Sequence, residues 1–423
     1  MQPSRRRLRR SYATGLALLC TGPLCLFCPT PVAAQEDPAP PPPPAALPEQ
    51  CQHGRPATWD EQLAASPVAV DTAQLHRHAT GSGVTVAVID TGVSRHPRLH
   101  NYSQAIDLIP GTPGAADLDC DGHGTVVAGI IAAADANDGL VGVAPDATII
   151  SIRQTSAFGE HEDPQSPTGR SPGAGNLAGM AAAITAATEA GARVINISVV
   201  SCLNPAAAEQ VDLEPLRRAV AAAEDAGAVI VAAAGNAGQQ CTPGDVVLPA
   251  HLPTVVAVGA LADHYSMADF SVPVPADHRL ISAPGAVAVG LNSHPTAGGG
   301  LIGAFTGRNG DVPLQGTSFA APVVAGIAAL LAQRYPTASA AQIRQMLYAV
   351  SDPSTGGFSV AAAVNQLPPA GRAHTAAVFA PRPPEEKSPV AARVAALWGL
   401  VAGTAMVLVL IRAAWRRRRF ARS

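Results

Sequence analysis

From residue 84 onward the chain repeats one pattern of apolar and polar positions. Short runs rich in β-branched residues, apolar on both faces rather than at alternate positions, recur with glycine or aspartate turns and alanine-rich stretches with helical spacing. The runs at 84–89, 148–153, 194–199, 229–233 and 254–259 predict strands buried on both faces. The stretches at 123–134, 175–190, 213–226 and 318–334 predict helices between and after them, and another follows at 339–349. Strands of that kind alternating with helices specify a parallel, twisted sheet with helices on both faces, so the fold class is α/β. The 20 residues 155–174 (TSAFGEHEDPQSPTGRSPGA) show no period, and a long loop that gates a site or is nicked is expected there. His161, Glu162 and Asp163 within it read as solvated loop side chains, because no matching ligand motif accompanies them.

The ends follow other rules. Five arginines (Arg5, Arg6, Arg7, Arg9, Arg10), an apolar run and small residues at 32–34 read as a cleaved signal peptide, 1–34. A Pro-rich extension, 35–80, opens with QEDPAPPPPPAALPEQ, which cannot pack as helix or strand interior. Nothing before residue 84 alternates like a small α/β unit, so a folded inhibitory pro-domain is not expected, and the segment from Cys51 is expected to wrap the body. After a globular domain at 81–365 and a Pro-rich linker at 366–393, residues 394–411 run 18 positions without a charge, and 412–423 form a basic tail. A helix of 18 residues rises roughly 27 Å, enough to cross the hydrocarbon core. The arginines beyond it place the tail in the cytoplasm and the globular domain outside, on a single-pass membrane protein.

Whole-chain charge conceals this layout. The 28 basic and 31 acidic side chains nearly balance, but with both arginine-rich ends set aside 17 basic face 31 acidic ones. An acidic exported body excludes nucleic acid as a partner and leaves contact with anionic lipid to the tail. Three of the seven cysteines leave with the signal peptide; Cys51, Cys120, Cys202 and Cys241 remain, enough for two disulfides with three pairings open. No paired-cysteine motif supports a metal, and no cofactor is expected.

Four segments carry the chemistry. Asp90 closes the first buried strand, at the sheet edge where open α/β sheets bind ligands. His123, between Gly122 and Gly124, and Ser318, after Gly316-Thr317, each open a helix, where free backbone N–H groups favour developing negative charge. Asn236 follows the strand at 229–233 and offers an amide to an oxyanion. Each is a common turn or cap residue alone; together they supply a nucleophile, a base, a carboxylate that orients the base, and an oxyanion donor.

In sequence order, VIDTGV, DGHGTVVAGI, AAGN and GTSFAAPVVAG resemble the signatures of subtilisin-like serine proteases, over roughly 81–350. The resemblance implies a subtilisin-like fold, with Asp90, His123 and Ser318 as catalytic triad and Asn236 as oxyanion donor. It also implies Ser198, Val199, Val200 and Gly235 as the walls that pair with an extended substrate. Val200, where many secreted subtilisins have glycine, is then expected to narrow the groove and restrict cleavage. On the same template Cys202 pairs with Cys241, and Cys51 with Cys120 beside the catalytic histidine. With its flanks, the chain resembles the mycosins, membrane-anchored subtilases of actinobacterial type VII secretion. That implies protein substrates, a type VII secretion membrane complex as partner, and an extracytoplasmic catalytic domain. An α/β-hydrolase is disfavoured, since it expects Gly-x-Ser-x-Gly with the serine first. A mainly structural role in the secretion apparatus remains the competing expectation.

Overall fold

Runs that are apolar on both faces become strands because each face of the sheet has its own core to fill. The computed structural model describes residues 51–365, except 66–74, 110–113, 163–169, 239–240, 264–265, 295–299, 308, 353 and 358–359. The signal peptide, residues 35–50 of the extension, the linker, the membrane helix and the basic tail lie outside the described residues.

Along the chain, β1 (Gly54–Pro56) precedes β2 (Thr85–Asp90), β3 (Tyr102–Asp107), helix α1 (His123–Ala132), β4 (Thr148–Arg153), β5 (Ser156–Glu162) and β6 (Arg170–Ala174). There follow α2 (Leu177–Glu189), β7 (Val194–Ile197), β8 (Ser201–Leu203), α3 (Glu214–Asp225), β9 (Val229–Ala233), β10 (Val246–Leu248) and β11 (Val256–Leu261). The remainder comprises β12 (Leu280–Pro284), β13 (Gly290–Leu291), β14 (Leu301–Gly307), β15 (Gly310–Pro313), α4 (Thr317–Arg334) and α5 (Ala340–Ala349), with short helical turns at Pro205–Ala208 and Val360–Val364. Seven strands form one sheet in the order β12-β11-β9-β7-β2-β4-β3, with every neighbouring pair parallel. Connections leave β2 toward β4 and β3 on one side and toward β7 and β9 on the other. The crevice at its carboxyl end is therefore a topological switch point, where such sheets hold ligands.

Side chains along each strand sort alternately into two cores. Val86 and Val88 of β2, with Val229 and Val231 of β9, join the core under α1 and α4. Ala87 and Ile89, with Ile230 and Ala232, join the core under α2 and α3. Helix α4 is long and apolar enough to cross a membrane, yet all but three of its eighteen residues are buried, which makes it the central core helix. Pro322 sits inside it and lacks the N–H that would bond the Ser318 carbonyl one turn earlier.

Several boundaries depart from the sequence reading. The strand expected over 194–199 stops at Ile197, and the one expected over 254–259 runs Val256–Leu261 because Thr254 adopts a left-handed φ of 69°. The stretch expected to be a structureless loop pairs β5 with β6 in an antiparallel hairpin. A register irregularity between Ser156 and Glu160 breaks the period-two signal that would have revealed it. Beside the main sheet, β14 takes β1, β13 and β15 as antiparallel partners, none of which the hydrophobic pattern announced. Pairing of β1 with β14, and the Gln52 N–H bonded to the Cys120 carbonyl at 2.8 Å, hold residues 51–56 against the body.

Candidate active site

Three elements bring their ends to the carboxyl edge of the sheet. Asp90 terminates β2, His123 is the first residue of α1, and Ser318 is the second residue of α4. The approach of β2 to α1 depends on Gly124: a Cβ there would stand 2.0 Å from the Gly92 carbonyl oxygen and 3.0 Å from Asp90 Cβ. No side chain fits, which is the physical content of the His-Gly-Thr sequence.

The polar groups form a chain. Asp90 is completely buried, and its Oδ1 accepts from the Thr91 N–H at 2.8 Å and from His123 Nδ1 at 2.7 Å. A carboxylate only accepts, so this contact puts the imidazole proton on Nδ1 and leaves Nε2 free to accept. Ser318 Oγ lies 2.9 Å from that Nε2. Burial disfavours the imidazolium, but the charge and hydrogen bond of Asp90 outweigh it and raise the His123 pKa above 6.5. The Phe319 ring packs against the imidazole at a tilt of 43°, with ring centroids 5.0 Å apart.

Asn236 is held by the residue before the serine. Its Oδ1 accepts from the Thr317 N–H at 2.9 Å and from Thr317 Oγ1 at 3.1 Å, which fixes the amide and turns Nδ2 outward. Asn236 Nδ2 and Ser318 Oγ lie 3.0 and 3.1 Å from one point, the position a Cβ on Gly316 would take. Gly235, with a left-handed φ of 94°, donates its N–H to Thr317 Oγ1 and backs directly onto Cys241, whose Sγ would be 2.8 Å from an added Cβ. Cys202 is disulfide-bonded to Cys241, and Cys51 to Cys120.

The expected substrate wall follows the end of β7. Ser198 is buried and its hydroxyl accepts from Asn196 Nδ2 at 2.9 Å, so it serves the interior. Val199 packs on one core, and Val200, partly buried, on both. The backbone of 198–200 lies past the ladder.

Charged residues that the sequence reading did not single out surround this chain of groups. Asp119 is fully buried, and burial together with nearby Asp121 pushes its pKa up to about 7. Asp121, also raised by burial, accepts from Ser156 Oγ at 2.7 Å and the Ala157 N–H at 2.6 Å, which ties the base of the hairpin to the histidine loop. Arg153, paired in register with Asp90 across β2 and β4, is completely buried and lies 3.2 Å from Asp107. In the sequence these residues look like solvated charge; only burial distinguishes them.

A parallel α/β sheet whose carboxyl edge gathers a carboxylate, an imidazole, a hydroxyl and an outward amide is the architecture of a serine endopeptidase. Comparison with known proteins gives the family: the profile described as "Subtilase family" matches residues 81–366, and the chain belongs to that family. Mycosin-4 of Mycobacterium tuberculosis (strain H37Rv) is 39% identical over 367 residues, 81% of this chain and 79% of the relative. The crystal structure of MycP1 from Mycobacterium smegmatis shares 31% identity with a TM-score of 0.64, covering 82% of this chain and 95% of that one. A chain in the structure of an intact ESX-5 inner membrane complex shares 31% identity with a TM-score of 0.64, covering 89% of this chain and 97% of that one.

Proposed function

We propose that this subtilase is a membrane-anchored, extracytoplasmic endopeptidase of a type VII secretion system that cleaves a restricted set of secreted proteins. Asp90, His123 and Ser318 are its triad, and Asn236 its oxyanion donor. The observation that carries the assignment is the continuous hydrogen-bond chain from Asp90 Oδ1 through both His123 nitrogens to Ser318 Oγ. In the reaction His123 Nε2 takes the Ser318 proton as Oγ attacks the peptide carbonyl, and Asp90 stabilises the imidazolium. The developing oxyanion is met by Asn236 Nδ2 and the Ser318 backbone N–H, which has no intrahelical acceptor at the second position of α4. His123 then protonates the leaving amine, and water resolves the acyl-enzyme by the same steps in reverse.

Restricted cleavage rests on Val200 narrowing the groove along Ser198–Val199–Val200 and Gly235. The secretion context rests on the mycosin relatives and on the relative in the ESX-5 inner membrane complex. The membrane anchor is assigned to 394–411 and the linker to 366–393 from sequence alone. The test is cleavage of a peptide library by the full-length protein in membranes: the wild type yields a narrow set of products and Ser318→Ala yields none. Equal products from both proteins would refute the assignment.

The relative's place in a membrane complex also favours a second, structural role beside proteolysis. In a strain lacking the protein, secretion restored by Ser318→Ala would separate that role from catalysis; no restoration would make proteolysis the reason the complex needs the chain.

A further inference from the structure

Asp119 belongs to none of the assigned catalytic groups, yet it is the most heavily bonded carboxylate among the described residues near the site. Its Oδ1 accepts from Thr91 Oγ1 at 2.9 Å and the Gly122 N–H at 2.9 Å. Its Oδ2 accepts from the Thr125 N–H and from Thr125 Oγ1, both at 2.8 Å. The hydroxyl groups carry the network outward: Thr91 Oγ1 accepts from the Gly124 N–H at 3.0 Å, and Thr125 Oγ1 from the Ser94 N–H at 3.0 Å. The Asp119 N–H donates to Ser94 Oγ at 2.9 Å.

Thr91 directly follows Asp90, and Gly122, Gly124 and Thr125 bracket His123. One buried side chain therefore joins the two segments whose spacing sets the 2.7 Å contact between Asp90 and His123. Each oxygen accepts from one backbone N–H, of Gly122 or of Thr125, and from one hydroxyl; a hydroxyl can reverse its role but an N–H cannot, so an amide in either orientation would set its NH2 against one backbone donor. That requirement is chemical as well as spatial, which separates it from ordinary filling of a core.

We propose that Asp119 is a positioning residue for peptide hydrolysis, holding the Asp90 strand end and the His123 helix start in register through Thr91, Gly122 and Thr125. The inference rests on the triad proposed above. Asp119 also contributes charge to the histidine. The charged groups around His123 are Asp90 on β2, Asp119 and Asp121 on the loop before α1, and Arg153 on β4, which faces Asp121. All three carboxylates favour the imidazolium when ionised, and Asp119, with its own pKa pushed up to about 7, does so fully only above that value; removing its charge moves the His123 proton equilibrium to lower pH.

The test measures the rate at which a fluorophosphonate probe phosphonylates Ser318 in the full-length protein between about pH 5 and about pH 9, on either side of the imidazole range. Rates are expressed per molecule labelled at saturation, so that misfolded protein does not count. Thr91→Val, which removes one hydroxyl and no charge, should slow phosphonylation roughly 10- to 100-fold without moving the acid midpoint, as expected when reacting groups lose register. Asp119→Asn should slow it at least as much and move the midpoint to lower pH. Because Thr91 Oγ1 also lies 3.2 Å from Asp90 Oδ1, Thr125→Val, whose hydroxyl bonds Asp119 and not Asp90, must slow phosphonylation in the same way, and it decides if Asp119→Asn does not fold. Wild-type rates per labelled molecule in Thr91→Val or Thr125→Val, or in a folded Asp119→Asn with an unmoved midpoint, would overturn the inference, leaving Asp119 a purely structural group. No Ser318 labelling in the wild type would instead overturn the triad assignment, and this inference with it.

Discussion

Asp90, His123 and Ser318 differ in burial: the carboxylate is wholly enclosed, Ser318 as a residue is 9% exposed and the imidazole side chain 24%. That difference keeps the charge that orients the base away from water and leaves the groups that meet substrate accessible. Because Asp90 raises the His123 pKa, the base form is reached only above the ordinary imidazole value. The acid limb of kcat/KM should therefore fall above pH 6.5, and Asp90→Asn should shift what activity survives to lower pH. At Asn236 the expected loss is specific to the transition state. Asn236→Ala should lower kcat about 100- to 1000-fold with little change in KM, as peptide hydrolysis kinetics would reveal. Of these residues, the four that end an apolar run or open a helix beside glycine were readable from the sequence. Asp119 was not, because in DLDCDGHG it is one acid among three, and only its enclosure gives it a task.

Whole elements were legible where burial imposes a pattern and illegible where backbone pairing alone defines them. β2, β4, β7 and β9 fill a core on each face, so apolar residues had to appear on both faces of their sequences. The hairpin β5–β6 is defined by its backbone ladder, β1 and β15 place no residue in either core, and the glycine and proline content of these strands reads as loop. The segment before residue 57 depends on staples in the same way: one short strand, a few hydrogen bonds and the Cys51–Cys120 disulfide. That disulfide closes a span of 69 residues, which in the chain-entropy picture stabilises the fold by about 4 kcal/mol. Cys51→Ser with Cys120→Ser should lower the melting temperature by several degrees. It should also raise hydrogen exchange at residues 52–56 before the central sheet, a pattern that uniform loosening would not produce.

At the scale of the whole chain, the proposed anchor predicts where the active domain is held. The mycosin relatives and the acidic body framed by two arginine-rich ends fit an enzyme tethered outside the membrane. Truncation after residue 393 should release active protein into the soluble fraction on cell lysis, with peptide turnover unchanged and secretion lost if tethering is what the secretion system requires. The decisive question is whether the relay chain at the sheet edge activates one serine. Peptide mapping by mass spectrometry of the full-length protein after fluorophosphonate treatment answers it. A single adduct on Ser318, absent in His123→Ala and Asp90→Ala, is the predicted result; an unmodified Ser318, or an adduct that persists without His123, would contradict the account.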